Sequence, residues 1–197
     1  LTIDGQSNHA GTTPMNLRRD PGLVAARISV FMREMATRLG GHQVCTVGKI
    51  DLHPNLINVV PGRATMTLDV RNTDENVLRG AEDELSSFIA KTASEEEVTT
   101  SSRVLARFEP VAFDDAVVDL VERTAAEFGL SHMRLPSGAG HDAQMLARVC
   151  PTAMIFVPSH QGISHNPAEH TEPEDLEAGC NVLLHVLLEL TTTEHSS

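Results

Sequence analysis

The chain has 197 residues, a length that suits one large domain or two small ones. Hydrophobic residues make up 41% of it and aromatic residues only 3%, so the expected core rests on aliphatic side chains and methionine. The formal net charge of −12 argues against a nucleic acid or an anionic membrane as a partner, because phosphate groups need a basic face, and no apolar run reaches the roughly 18 residues that span a bilayer.

The first half of the chain alternates strands and helices. Strands are predicted at residues 1–4, 44–50, 64–71 and 98–108, and helices at residues 21–39 and from about residue 74. Both helices carry apolar residues at helical spacing that are predicted to face the core: Val24, Ile28, Phe31, Met35 and Leu39, then Val77, Ala81, Leu85 and Phe88 or Ile89. The order β-α-β-β-α-β is typical of a ferredoxin-like α/β domain.

The second half predicts an α/β segment with few strands. Its elements are predicted as a helix at residues 116–128, a short strand near residue 133, a helix at 142–149, a buried strand at 153–157 and a long helix to about residue 190. A fully apolar strand between helices is typical of a parallel sheet. Because only one or two strands are present, that sheet is expected to be incomplete.

The cysteines offer no recognisable site. Cys45, Cys150 and Cys180 include no pair at CxxC spacing, and their number is odd. We therefore predict reduced, buried thiols in a cytoplasmic protein.

A histidine-rich loop follows the predicted buried strand. It contains His160, His165, Glu169 and His170 within residues 158–171. Histidine is the commonest metal ligand, and ligands usually lie beyond the carboxyl ends of strands in α/β domains. His165 is the best ligand candidate, whereas the other two histidines are expected to be exposed. A zinc site needs about three or four protein ligands, which one loop cannot supply.

Asn58 and Arg71 are candidates for anion binding. Asn58 lies in a segment bracketed by prolines and glycine, and Arg71 ends the polar face of a predicted strand. An arginine binds a carboxylate with two parallel hydrogen bonds, which suits an acid substrate. The alternative is an ordinary connection between strands, with Asn58 capping the turn.

Two glycine-containing turns are weaker candidates. His9 lies in a turn rich in glycine, threonine and proline, where a histidine is usually only a surface residue. Gly140 lies among small residues at 136–143, where a backbone can approach a ligand closely, although a plain tight turn into a helix explains them equally well.

The motifs gain meaning from their order along the chain. They are HAGTTPM at residues 9–15, PNLINVVPG at 54–62, LDVR at 68–71, SGAGHDA at 137–143 and GISHNPAE at 162–169. In this order they resemble the metal-dependent amidohydrolases of the M20 peptidase superfamily. The resemblance is strongest to the branch that contains N-carbamoyl-L-amino-acid hydrolases, allantoate amidohydrolases and β-ureidopropionases.

The resemblance implies a two-domain organisation. Residues 1–107 would be a lid domain that forms a homodimer, and residues 108–197 would be the C-terminal part of a metal-binding catalytic domain. The cofactors implied are two divalent metal ions, with zinc or manganese favoured and cobalt or nickel compatible. The remaining metal ligands and a glutamate general base are expected upstream of Leu1, so the chain alone is predicted to be inactive.

The resemblance also implies a role for each candidate residue. His165 matches a metal ligand, and His9 matches a lid histidine that reaches the substrate across the dimer and stabilises an oxyanion. Asn58 and Arg71 match groups that hold the substrate carboxylate, and Gly140 matches a backbone contact to the substrate. The implied reaction is hydrolysis of the carbamoyl or ureido C–N bond of an N-carbamoyl-L-amino acid, allantoate or a similar small ureido acid.

Two alternatives remain open at this point. One is another enzyme of the M20 group, such as an aminoacylase or a dipeptidase, which N-carbamoyl and N-acetyl amino acids would distinguish. The other is a dimerisation module without catalytic activity, which would lack the upstream metal ligands.

Overall fold

The computed structural model describes residues 1–193 of the protein. The chain divides into two compact units, Leu1–Pro110 and Val111–Ser197. Across residues 1–193, no helix combines the length and the apolar character that crossing a membrane requires.

The first unit combines two long helices with short antiparallel strands. Its elements are β1 Thr2–Asp4, β2 Asn8–His9, α1 Pro21–Leu39, β3 Val44–Thr46, β4 Ile50–His53, β5 Val59–Val60, β6 Arg63–Met66, β7 Asp69–Arg71, α2 Glu75–Glu95 and β8 Thr99–Ser101. The main sheet has four antiparallel strands in the order β4-β6-β1-β8. Two antiparallel ribbons, β2-β5 and β3-β7, complete the unit.

Capping residues set the ends of both long helices. The Asp20 carboxylate accepts hydrogen bonds from two backbone N–H groups in the first turn of α1, and Asp74 does the same for α2. Pro21 occupies the first turn of α1, and Gly40 ends the helix at a positive φ of 62°. The predicted bounds of α1 are thereby confirmed.

The core of the first unit lies between the main sheet and the two helices. Its buried apolar members are Ile3, Val24, Ala25, Ile28, Met32, Met35, Ala64, Met66, Ala81, Leu85, Ala93 and Val98. Phe31 and Phe88 stack with their ring centroids 3.9 Å apart, which joins α1 to α2. Most of the predicted inward positions are confirmed, but Leu39, the last residue of α1, and Val77 are exposed. At the start of α2, Leu78 takes the buried position in place of Val77.

Three predicted strands are shorter or more broken in the structure. The strand expected at residues 44–50 is split into β3 and β4, and the strand expected at 64–71 is split into β6 and β7. The breaks arise because β4 and β6 pair within the main sheet, whereas β3 and β7 pair in a separate ribbon. The strand expected at 98–108 is reduced to β8. Beyond it, Arg107 forms ion pairs with Glu75 and Glu82 on α2.

The second unit is built on helices. They are α3 Asp115–Glu127, α4 Ala143–Leu146 and α5 Pro173–Thr193. The buried cluster joins α3 to α5 and consists of Leu120, Ala125, Val182 and Val186, with Ile155 packed against it.

The strands predicted in this unit are wrong. Within residues 111–193 no strand forms, either near residue 133 or at residues 153–157, and Phe156 is 48% exposed. The run at 153–157 is apolar, as its sequence indicates, but a strand also needs a partner for its backbone N–H and C=O groups. Helix α4 is also shorter than the predicted 142–149.

The cysteines are free thiols but not the buried ones that were predicted. Cys150 and Cys180 are exposed, and only Cys45 is partly buried. Desolvation is the main cause that raises the pKa of the Cys45 thiol, and a hydrogen bond from Gln43 opposes it. The prediction failed because the small α3–α5 cluster buries few residues of the second unit.

Replacement of Gly5 by alanine is expected to destabilise the protein by about 1–3 kcal/mol. A Cβ atom at this position would lie 2.3 Å from the Arg19 backbone oxygen and 2.7 Å from Pro21 Cδ. The matched control is Gly80→Ala in α2, where a Cβ meets no atom within 4 Å in the described structure. In that variant the free energy of unfolding is expected to rise by about 0.5–1 kcal/mol. Urea unfolding of both variants checks the pair, and equal stabilities would contradict it.

Candidate functional site

The His9 imidazole is held by its own turn. Its Nδ1 atom accepts hydrogen bonds from the backbone N–H groups of Gly11, at 2.9 Å, and Thr12, at 3.2 Å. A nitrogen that accepts these bonds carries no hydrogen, so the neutral ring carries its hydrogen on Nε2. Within residues 1–193 no acceptor takes this hydrogen, and the His9 side chain is exposed. The turn therefore presents a neutral N–H donor to its surroundings.

The same turn is closed by further backbone contacts. Thr13 donates to the His9 carbonyl oxygen from both its backbone N–H, at 3.2 Å, and its hydroxyl, at 2.7 Å. A Cβ atom on Gly11 would lie only 3.3 Å from the Cε1 atom of His9. Glycine at this position therefore leaves room for the imidazole ring.

Asn58 lies beside His9 although the two are far apart in sequence. Strand β2 pairs with β5 so that His9 faces Val59, the residue that follows Asn58. The backbone N–H of Ala10 also donates to the Asn58 carbonyl oxygen at 2.9 Å. The structure thus brings the motifs at residues 9–15 and 54–62 together on one ribbon, with the Asn58 side chain exposed.

Arg71 lies in the other ribbon, where β7 pairs with β3. Its guanidinium makes two parallel hydrogen bonds to the Asp69 carboxylate, with Nε–Oδ1 at 2.8 Å and Nη2–Oδ2 at 2.6 Å. These bonds from Arg71 lower the pKa of Asp69 below its ordinary value of 3.8, although partial burial opposes the change. They also raise the pKa of Arg71. Sequence reasoning missed Asp69, although period-two alternation places residues 69 and 71 on one face of a strand.

Gly140 lies in the second unit, in the turn that precedes α4. A Cβ atom there would meet no heavy atom within 4 Å in the described structure, so the local fold does not require glycine. The turn is organised instead by His141, whose Nδ1 accepts a hydrogen bond from the Ala143 N–H at 3.0 Å. The role of Gly140 as a backbone contact to the ligand stays a prediction.

The histidine-rich loop holds His165 in an unusual backbone conformation. Its φ of 54° lies in the left-handed region, which is uncommon for residues other than glycine. The conformation is supported by the Glu169 carboxylate, which accepts a hydrogen bond from the His165 N–H at 2.7 Å. The loop is closed where the His160 N–H donates to the His170 carbonyl oxygen at 2.7 Å. Such backbone conformations concentrate at binding sites.

The described residues do not by themselves fit a metal ion. From residue 1 to residue 193, no group of three or more His, Cys, Asp or Glu side chains is placed to hold one. A complete zinc site needs about three or four protein ligands, so His165 can contribute only part of a site. No reaction step can be assigned to a metal on these residues alone.

Comparison with known proteins identifies the family. Residues 9–189 match the peptidase family M20/M25/M40, and the chain belongs to that family. It is 41% identical to the allantoate amidohydrolase of Escherichia coli over 96% of its own length and 46% of that protein. It is 39% identical to the N-carbamoyl-L-amino-acid amidohydrolase of Rhizobium meliloti, over 96% of the chain and 45% of that protein.

A solved structure gives the same result. An amidase of the hydantoinase/carbamoylase family from Burkholderia vietnamiensis superimposes with a TM-score of 0.91 and 42% identity, over 95% of this chain and 46% of that one. The resemblance expected from the motifs is therefore confirmed. The chain spans less than half the length of these relatives, with 46% of the allantoate amidohydrolase covered.

The Arg71–Asp69 pair predicts a pH-dependent contribution to stability. Because the folded pKa of Asp69 is lowered, the stabilisation is present above its ordinary value of 3.8 and is lost as the pH falls through the folded pKa. The difference in free energy of unfolding between wild type and Arg71→Met is therefore expected to shrink as the pH falls below about 5. Urea unfolding across this range measures it.

An Asp69→Asn background provides the control for this measurement. There the Arg71→Met substitution is expected to have an effect that does not depend on pH, since the titrating partner is gone. If the difference in free energy of unfolding between wild type and Arg71→Met stays constant over the acidic range, the prediction is contradicted.

Proposed function

We propose that the protein hydrolyses the carbamoyl or ureido C–N bond of an N-carbamoyl-L-amino acid, allantoate or a similar small ureido acid. The observation that carries this proposal is the identity of 41% and 39% to an allantoate amidohydrolase and an N-carbamoyl-L-amino-acid amidohydrolase, each over 96% of the chain. The arrangement of hydrogen-bond donors in the first unit supports it.

His9 is proposed to stabilise the negative charge that develops during hydrolysis. Attack of water on the carbonyl carbon places negative charge on the carbonyl oxygen, and an oriented N–H donor stabilises that charge. The Nε2–H of His9 suits this role because the bonds from Gly11 and Thr12 hold the opposite nitrogen. The donor is then oriented before the substrate arrives, as oxyanion stabilisation requires. In a homodimer, His9 would act on the substrate held by the partner subunit.

Arg71 and Asn58 are proposed to bind the substrate carboxylate. A guanidinium recognises a carboxylate with directed, charge-assisted hydrogen bonds, and an amide N–H adds another. Asp69 fixes the plane of the Arg71 guanidinium through its paired bonds of 2.8 and 2.6 Å. This arrangement favours substrates that carry a carboxylate beside the scissile group.

The remaining sequence candidates are assigned to the second unit. We propose that His165 is one ligand of two divalent metal ions, with zinc or manganese favoured and cobalt or nickel compatible. The bond from its N–H to Glu169 supports this role by holding the loop. Gly140 is proposed to contact the substrate through its backbone, in keeping with the open space around it.

The two units are proposed to be a lid domain and a part of the catalytic domain. The sheet order β4-β6-β1-β8 and the two long helices support a ferredoxin-like assignment for the lid. A homodimer through the lid is supported by β4, an edge strand of that sheet, which exposes Ile50 and Leu52.

A substrate panel assayed with the intact protein tests the proposed function. Turnover of N-carbamoyl-L-amino acids or allantoate is expected. A chelator is expected to abolish this turnover, and added Zn²⁺ or Mn²⁺ to restore it. N-acetyl amino acids and dipeptides serve as the comparison. Preference for those substrates would favour an aminoacylase or dipeptidase, and loss of all turnover with every metal would favour a binding module.

Arg71→Ala is expected to raise KM for carboxylate substrates about 10- to 100-fold, because it removes a charge-assisted bond. For substrate analogues in which an amide replaces the carboxylate, wild type and Arg71→Ala are expected to have similar KM values. Steady-state kinetics of the intact protein measures both. The matched control is Arg63→Ala, since Arg63 is likewise a strand arginine paired with an aspartate, Asp4. An unchanged KM in Arg71→Ala would remove this residue from the substrate site.

A further inference from the structure

We propose that Arg18 is a positioning residue that acts through His9, an inference that rests on the proposed function of that histidine. Arg18 is half-buried and lies nine residues beyond His9, just after the turn. Its guanidinium donates to two backbone carbonyl oxygens of the turn, Ala10 at 2.7 Å through Nη2 and Thr13 at 3.2 Å through Nε. The side chain thus spans the turn on which the imidazole rests.

The contact with Ala10 is transmitted to His9 through a single peptide unit. The carbonyl of Ala10 and the N–H of Gly11 belong to the same planar group and point in opposite directions. The Arg18 guanidinium holds the Ala10 oxygen of this group, and the Gly11 N–H of the same group donates to His9 Nδ1 at 2.9 Å. Fixing the oxygen therefore fixes the direction of the N–H that holds the ring.

The charge of Arg18 strengthens the same bond. A charged donor at the Ala10 oxygen polarises the peptide group, so its N–H becomes a stronger donor to the imidazole. Within residues 1–193 no carboxylate forms an ion pair with Arg18, whereas the adjacent Arg19 pairs with Glu97. The guanidinium is thus committed to backbone oxygens rather than to a surface ion pair.

The geometry gives Arg18 a definite consequence for the site. With the Gly11 N–H held in place, His9 keeps its hydrogen on Nε2, where it can serve the developing oxyanion. Without Arg18, the Ala10–Gly11 peptide loses this restraint and the longer bond from the Thr12 N–H, at 3.2 Å, is left to hold Nδ1, so the two imidazole tautomers become closer in population. The role of Arg18 therefore differs from that of Arg71, which is proposed to bind the substrate carboxylate.

The first test is spectroscopic and does not need turnover. Long-range ¹H–¹⁵N spectra of the imidazole groups in the intact protein, assigned with His9→Ala, report which ring nitrogen carries the hydrogen. Wild type is expected to show the Nε2–H form, and Arg18→Met to show a mixture of both forms. Identical spectra for wild type and Arg18→Met would overturn the proposal. If wild type proves to hydrolyse no ureido acid, the proposed function fails while these spectra still decide the role of Arg18.

The second test is kinetic and uses a double-mutant cycle. Arg18→Met is expected to lower kcat about 10- to 100-fold with KM changed less than about threefold, as loss of one oriented donor does. In a His9→Ala background the same substitution is expected to change kcat less than about twofold, because its route of action is gone. An equal loss in both backgrounds would show that Arg18 acts independently of His9 and would overturn the proposal.

Two further variants guard against a simple folding defect. Arg18→Lys keeps the charge but offers one compact ammonium in place of a planar fork, so an intermediate kcat is expected. Arg19→Met removes the neighbouring arginine, whose side chain pairs with Glu97, and is expected to leave kcat and the His9 spectra unchanged. A loss of kcat in Arg19→Met equal to that in Arg18→Met would contradict a specific role for Arg18.

Discussion

The antiparallel pairing of β1 with β6 is the contact on which the position of His9 depends. It buries Ile3 opposite Ala64 in the centre of the main sheet, and the Gly5 N–H continues it by donating to the Gly62 oxygen at 2.9 Å. Beyond this point the same two chain segments pair again as β2 and β5. The ribbon that carries His9 is therefore an extension of the hydrophobic core, and its position follows from the burial of Ile3.

The two pairings are out of step by one residue. From Asp4 to Asn8 the first segment advances by four positions, while its partners Arg63 and Val60 are three positions apart. The extra residue lies in the connecting segment of residues 5–7, where the Gln6 N–H leaves the pairing and donates to the Arg19 oxygen at 3.0 Å. A one-residue shift exchanges the faces of a strand, so β2 does not continue the face alternation of β1 relative to the partner segment.

Local sequence signals predicted the helices better than the strands. Asp20 and Gly40 define α1 through short-range capping bonds, which are visible in the sequence itself. Strand bounds depend on partners distant in sequence, so the apolar run at residues 153–157 could be recognised as hydrophobic but forms no strand within its own unit. Asp69 and Arg18 were missed for a different reason, because their contacts are local: Asp69 lies two residues from Arg71 on one strand face, and Arg18 lies eight residues from Ala10, but no motif pairs these residues.

The candidate groups of the first unit share one chemical property, because His9, Asn58 and Arg71 can all donate hydrogen bonds. Such groups recognise negative charge, both on a substrate carboxylate and on a developing oxyanion, without transferring a proton. In a chain with a formal net charge of −12, the proposed recognition of an anionic substrate would have to come from directed donors, since a net negative charge repels an anion. The bonds that orient His9 and Arg71 therefore matter more to this unit than its net charge.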